Sequence, residues 1–167
     1  SGTDNTASNA TFVGTYTGYS NTGINNTLVG FKAGKVNTSG YNNTYVGSYV
    51  GENSTGCKNT YVGGQAGQNS TSSNGTFIGF QAGGNNTSYD NTFIGYYCGN
   101  NNTGFRNTFM GTNCGKNSGT SSNCIALGCG AGVNNTGNNN VMIGRDTGKV
   151  NTAIGNVFIG YVSGPNN

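Results

Sequence analysis

Histidine and tryptophan are absent from this 167-residue sequence, and proline occurs once. Without histidine, a Ser-His-Asp triad and an imidazole zinc ligand are impossible. Charged residues are 7% of the chain and the hydrophobic set 32%. A globular domain carries about 45–50% apolar and about 25% charged residues, so this chain is of another kind. Scarce charge also excludes the usual disordered polyelectrolyte. Collagen is excluded, because glycine does not recur at every third residue. No apolar run approaches the roughly 18 residues of a membrane-spanning helix. The net charge of +3 comes from seven scattered Lys and Arg against four acids. That is no basic patch, and nucleic-acid binding has no support.

What fills the sequence instead is 32 Gly, 31 Asn and 22 Thr, half of all residues. They are organised in ten copies of one unit, each marked by an anchor glycine after an apolar triplet. The anchors are Gly14, Gly30, Gly47, Gly63, Gly79, Gly95, Gly111, Gly128, Gly144 and Gly160, spaced by 16 or 17 residues. Positions are counted from these anchors below. Another glycine stands at +4 in every copy, from Gly18 to Gly164. No compositional break interrupts the series, so residues 1–167 read as one domain.

Position −1 is always aliphatic, and −3 is Thr in seven copies, then Ile125, Val141 and Val157. Both favour residues that suit strands. Position +3 is small, as in Ala33, Ala66 and Ala82. Each apolar run is too short for a helix, which needs about 10 residues at a period near 3.6. The unit therefore predicts short strands and turns, wound as an all-β parallel β-solenoid of ten 16–17-residue coils. Adjacent coils would lie about 4.7–4.9 Å apart.

Successive strand residues point to opposite sides. Positions −3 and −1, with the small +3 residue, are expected to fill a thin interior. Position −2 then faces out. It holds Phe12, Leu28, Tyr45, Tyr61, Phe77, Phe93, Phe109, Ala126, Met142 and Phe158. All of these except Ala126 are candidates for a subunit interface, because a soluble monomer rarely exposes an apolar patch above a few hundred Å². The alternative inverts the faces and puts the −2 residues inside the coil.

The motifs Asn123-Cys124-Ile125-Ala126-Leu127-Gly128, Asn139-Asn140-Val141-Met142-Ile143-Gly144 and Asn9-Ala10-Thr11-Phe12-Val13-Gly14 resemble the YadA-like head of trimeric autotransporter adhesins. That family repeats a motif close to Asn-Ser-Val-Ala-Ile-Gly. The resemblance covers all ten copies. It implies a left-handed β-roll that trimerises at a cell surface and works in adhesion, and related repeats occur in tail-fibre-like shafts. This chain departs from the family in its longer coil and in the mostly aromatic residue where the family has Ala.

No catalytic, cofactor or metal site is read from the residues. The carboxylates Asp4, Glu52, Asp90 and Asp146 fall in different coils, which disfavours an acid–base pair. Cys98 and Cys114 share position +3 in adjacent coils, a spacing within disulfide range. Parallel, in-register side chains aim the sulfurs poorly, so small buried thiols are the preferred reading and a bridge the alternative. Cys57 is the expected exposed thiol. Asn-x-Thr sequons recur at +6, at Asn53, Asn69, Asn85, Asn101 and Asn134. They are either asparagine ladders or glycosylated turns.

The expected function is an extracellular structural or adhesive rod or filament, partnered by its own copies and by surface glycans or matrix. The alternative is an ice- or carbohydrate-binding solenoid using a Thr, Asn and Tyr face. The first and last copies keep the full pattern with little flanking sequence, and Pro165 alone blunts one end. End-to-end stacking of copies, or a longer array, is the corresponding expectation.

Overall fold

The computed structural model describes residues 6–37 and 39–164. Asp4 and Pro165 lie outside the described residues. Ten strands follow in order: β1 Thr11–Val13, β2 Thr27–Val29, β3 Thr44–Val46, β4 Thr60–Val62 and β5 Thr76–Ile78, then β6 Thr92–Ile94, β7 Thr108–Met110, β8 Ile125–Leu127, β9 Val141–Ile143 and β10 Val157–Ile159. They form one parallel sheet in sequence order, and the chain winds as a β-solenoid of about nine turns with no helix among the described residues. The register never slips. Phe77 pairs with Phe93, Thr76 with Thr92 and Ile78 with Ile94, as do the corresponding residues of every neighbouring pair. The strands are the apolar triplets that the anchor glycines delimit.

Each anchor glycine ends its strand with φ between +124° and +145°, a conformation that L side chains rarely adopt. A Cβ on Gly63 would also lie 2.6 Å from the carbonyl oxygen of Gly79. The backbone passes too close to the next coil for any side chain. Beyond the anchor the chain turns through a left-handed residue at +2, and its N–H donates to the +1 carbonyl of the preceding coil. Examples are Tyr49 to Phe31 at 2.8 Å and Tyr97 to Phe80 at 2.9 Å. A second extended limb follows, in which Thr71 donates to Asn86 and Asn85 to Gln68.

The interior is built from −2, +3, +7 and −4. The expected orientation of the strands is overturned here. Leu28, Tyr45, Tyr61, Phe77, Phe93, Phe109 and Met142 are buried within a single chain, Phe158 nearly so, and Phe12 is half-buried against the same core. These nine side chains are a core, not an outer ladder awaiting a partner. Positions −3 and −1 are the ones that face out. The reason is steric. The ring at −2 lies over the glycine at +4, where a Cβ would come within 2.2 Å of the Tyr61 ring at Gly67 and 2.1 Å of the Phe109 ring at Gly115. The small +3 residue gives the remaining room. Rings then stack coil on coil, with centroids 4.7 Å apart for Tyr45–Tyr61 and 4.6 Å for Tyr61–Phe77, inclined by 1° and 2°. That centroid separation equals the height of one coil and lies in the range of offset-stacked rings, so a column of them fits a thin interior.

Most polar interior positions are satisfied by repetition, Asn21 Nδ2 and Ser121 Oγ being buried without a partner. The −4 asparagine reaches both ways. Asn59 Oδ1 accepts the N–H of Gly75 at 2.7 Å, and its Nδ2 donates to the carbonyl of Ser72 at 2.8 Å. Asn26, Asn43, Asn107 and Asn140 do the same for their neighbours. Cys124 replaces asparagine in this column and keeps both roles, accepting from the N–H of Asn140 and donating to the carbonyl of Gly137. Where −2 is tyrosine, +7 shrinks to serine. Tyr45 Oη lies 3.0 Å from Ser54 Oγ, and Tyr61 Oη lies 2.7 Å from Ser72 Oγ and 3.3 Å from Ser70 Oγ.

Replacing Asn59 by Ala strands one buried N–H and one buried carbonyl. At about 1–3 kcal/mol each, the variant is expected to lose about 2–5 kcal/mol in urea unfolding, with an unchanged m-value. Burial pushes the Tyr61 phenol up to about 12, and it pushes Tyr45 up further, with Tyr61 adding to the effect. The folded interior thus holds the neutral phenol, whereas an unfolded tyrosine ionises near 10. Stability is complete below about pH 10 and falls as the pH rises towards about 12, by about 1.4 kcal/mol per pH unit per ring. The double variant Tyr45→Phe/Tyr61→Phe is expected to flatten that alkaline loss in circular-dichroism melts. An unchanged slope would contradict it.

Candidate interaction surfaces

The inverted strands place a ribbon of side chains on the outside. Its −3 lane is Thr from β1 to β7 and aliphatic from β8 to β10, and its −1 lane is aliphatic throughout. Val62 and Ile78 are 37% and 39% exposed, and Ile159 is 66% exposed. No charged residue enters either lane. Ten strands at about 4.8 Å and three residues of about 3.3 Å give a ribbon of roughly 430 Å². Aromatic residues flank it. Phe31, Phe80 and Tyr96 stand at +1, and Tyr41, Tyr89 and Phe105 stand at −6. Phe80 stacks on Tyr96 at 5.7 Å and Tyr89 on Phe105 at 5.3 Å.

A second surface is the turn that joins +2 to +5. Two cavities open into it. One, of about 450 Å³, is lined by Tyr16, Tyr19, Lys32 and Lys35. The other, of about 320 Å³, lies over coils seven to nine between Lys116, Asp146 and Lys149. Lys149 Nζ sits 2.8 Å from Asp146 Oδ1, and that hydrogen bond, with Arg145 adding, holds the carboxyl below its ordinary range.

The third surface is the second limb, where the sequon asparagines are exposed and hydrogen-bonded in a column. Asn53 Nδ2 donates to Asn69 Oδ1, Asn69 to Asn85, Asn85 to Asn101, and Asn101 to Asn117, at 2.8 to 3.2 Å. The ladder reading of these residues is therefore realised in the structure. Threonines two residues on, such as Thr71 and Thr87, are exposed beside them.

The possible bridge between Cys98 and Cys114 does not form, and both are the small buried thiols of the preferred reading. Stacked in register, the two side chains point the same way rather than at each other. Each instead donates to the carbonyl of the −2 residue one coil on, Cys98 to Phe109 at 3.2 Å and Cys114 to Ala126 at 3.0 Å. Burial raises the Cys98 thiol far above its ordinary value. Cys57 is half-buried and Cys129 is exposed. No group of three or more metal-ligating side chains occurs among the described residues.

What sequence reasoning missed was which strand positions face out, and with them the ribbon. The signal was available in the constant +4 glycine, which makes room for one large residue per coil. Comparison with family models, curated proteins and solved structures returns no match.

Under native conditions a thiol reagent is expected to modify Cys129 and Cys57 rapidly and to leave Cys98, Cys114 and Cys124 unmodified until denaturant is added. Rapid native labelling of Cys98 in a mass-spectrometric map would contradict the packing of position +3.

Proposed function

We propose that this chain is an extracellular structural or adhesive protein whose solenoid builds a rod or filament by self-association, with the outward strand ribbon as the surface that meets other copies. The observation that carries the reading is the ribbon itself, uncharged in both lanes over all ten strands. Its area of roughly 430 Å² already reaches the size at which exposed apolar patches mark interaction sites. Exposed rings beside it, Phe31, Phe80, Tyr89 and Tyr96, extend the apolar surface in coils two, five and six. The resemblance to trimeric adhesin heads supports a closed homo-oligomer, a trimer in the simplest case, and supports the cell-surface setting.

A second reading is favoured by the seven outward threonines, whose hydroxyls stand in register on β1 to β7. Such a lane suits an ordered water lattice, as on an ice-binding surface. Self-association takes precedence for two reasons. The −1 lane is aliphatic on every strand, and β8 to β10 carry no threonine at all, with Ile125 at 42% and Val157 at 66% exposed. Aliphatic side chains gain about 25 cal/mol per Å² on leaving water, which a second apolar surface supplies and ice does not.

Sedimentation velocity is expected to find an oligomer. The variant Val62→Lys/Ile78→Lys is expected to sediment as a folded monomer, because paired cations across a dry interface cost several kcal/mol. A monomeric parent chain with thermal hysteresis, lost on Thr60→Lys/Thr76→Lys, would replace this reading with the ice-binding one.

A further inference from the structure

The groove along positions +2 and +5 holds side chains that the frame does not ask for. Three kinds of non-glycine position have left-handed backbone in the repeat, at +2, +6 and +11. At +6 and +11 the residue is mostly Asn or Asp, as in Asn69, Asn85, Asn101, Asn74 and Asp90. That choice follows from the backbone, since their short polar side chains tolerate this conformation best. At +2 the residues are Tyr16, Lys32, Tyr49, Gln65, Gln81 and Tyr97 in the first six coils, with φ between 53° and 58°. Each is a worse fit to that backbone than Asn or Gly. In coils seven to nine +2 returns to residues that suit this backbone, Asn113, Gly130 and Asp146. It is therefore the +2 residues of the first six coils that are explained by what they present and not by the turn they occupy.

What they present is consistent in chemistry. All three glutamines of the chain, Gln65, Gln68 and Gln81, lie on +2 or +5. So do four of its seven cations, Lys32, Lys35, Lys116 and Lys149. Both cavities open into this groove. Two lysines are held over groove tyrosines, Lys32 Nζ 4.9 Å from the Tyr49 ring centroid and Lys116 Nζ 4.9 Å from that of Tyr97. The two acids on these lanes are already engaged, Glu52 by Gln68 and Asp146 by Lys149. The surplus is positive.

We infer that this groove binds a linear anionic polysaccharide lying along the solenoid axis. Tyrosine faces stack on the apolar faces of sugar rings. Amides, which both donate and accept, match vicinal hydroxyls. Lys32 and Lys35 at one end and Lys116 at the other take carboxylate or sulfate groups, Lys149 being paired with Asp146. The two cavities lie at the two ends of these lanes, over coils one and two and over coils seven to nine. A ligand that reaches both spans roughly 38 Å at the coil spacing, which suits a chain better than a monosaccharide. The binding deepens the adhesive reading by naming a ligand class. It does not require the ribbon to associate, because the groove and the ribbon use different positions of the coil.

The test uses the whole chain and calorimetric titration with four probes: an oligogalacturonate, a dextran sulfate, a neutral cello-oligosaccharide and poly-glutamate. The oligogalacturonate, the dextran sulfate or both are expected to bind, with the neutral sugar and the polypeptide each weaker by about tenfold or more. The relative strength of the first two separates carboxylate from sulfate as the natural anion. The variants Lys32→Asn/Tyr49→Asn and Tyr97→Asn/Lys116→Gln are each expected to weaken binding by about tenfold. Asparagine suits the left-handed backbone, so the thermal midpoint should stay close to that of the parent chain. Sedimentation should also be unchanged, which separates this test from that of self-association. Poly-glutamate binding as tightly as the anionic sugars would reduce the groove to a charge effect and overturn the proposal. Equal binding of the neutral sugar, no binding of either anionic sugar, or full binding by both variants would overturn it as well.

Discussion

Every residue in this solenoid sits one strand spacing from its own counterpart in the next coil, and that constraint governs the rest of the structure. Like must stack on like. Neutral amides satisfy the condition, because an amide donates at one end and accepts at the other, and a column of them repeats without conflict. The −4 asparagines do this inside, and Asn53 to Asn117 do it outside. Rings satisfy it by lying flat. Charges do not, since two like charges about 5 Å apart repel. Among the described residues no two like charges occupy neighbouring rungs of one lane, and where charged rungs do adjoin they alternate, as with Asp90 and Arg106 at 3.7 Å. The low charge content is thus a consequence of the winding.

Much of this was legible in the residues. The anchor glycines delimit all ten strands, because a 16-residue period with one apolar triplet leaves a single place for each. The coil order and the parallel register follow from the same alignment. The inward direction was not legible from alternation alone, since a three-residue strand with β-branched ends and an aromatic centre is consistent with either face. Volume decides it. The glycine at +4 and the small residue at +3 create one space per coil, and the −2 ring is what fills that space. The exchange of Asn for Ser at +7 opposite Tyr45 and Tyr61 is the same argument in polar form, because a buried phenol needs both room and a partner. Cys98 and Cys114 failed as a bridge for a related reason: adjacent rungs have the right separation but parallel side-chain directions.

The positions of the coil separate into those fixed by the frame and those left free. Glycine at the anchor and at +4, asparagine at −4 and small residues at +3 belong to the frame. The outward strand positions are constrained in size only weakly, yet they remain uncharged over ten coils and β-branched everywhere but Met110 and Leu127. The +2 positions are constrained towards Asn or Gly, yet in the first six coils they carry tyrosine, lysine and glutamine. The winding accounts for the missing charge but not for apolar rather than neutral polar side chains at −1. Backbone strain does not account for Tyr, Lys and Gln at +2 in the first six coils. Each departure therefore points to a contact made outside the chain.

The two surfaces also differ in how they can fail. The ribbon is continuous, and each strand contributes the same pair of side chains, so one altered rung removes only a small share of its area. The groove is graded instead. Lys32 and Lys35 stand near one end, Lys116 and Lys149 near the other, and the glutamines lie between. A partner on the ribbon can slide by one coil at little cost, because the next rung is nearly identical. A ligand in the groove cannot slide without losing a lysine. A repeat frame ordinarily yields surfaces without register, and the unequal lysines of the turn are what would give this one a fixed position along its length.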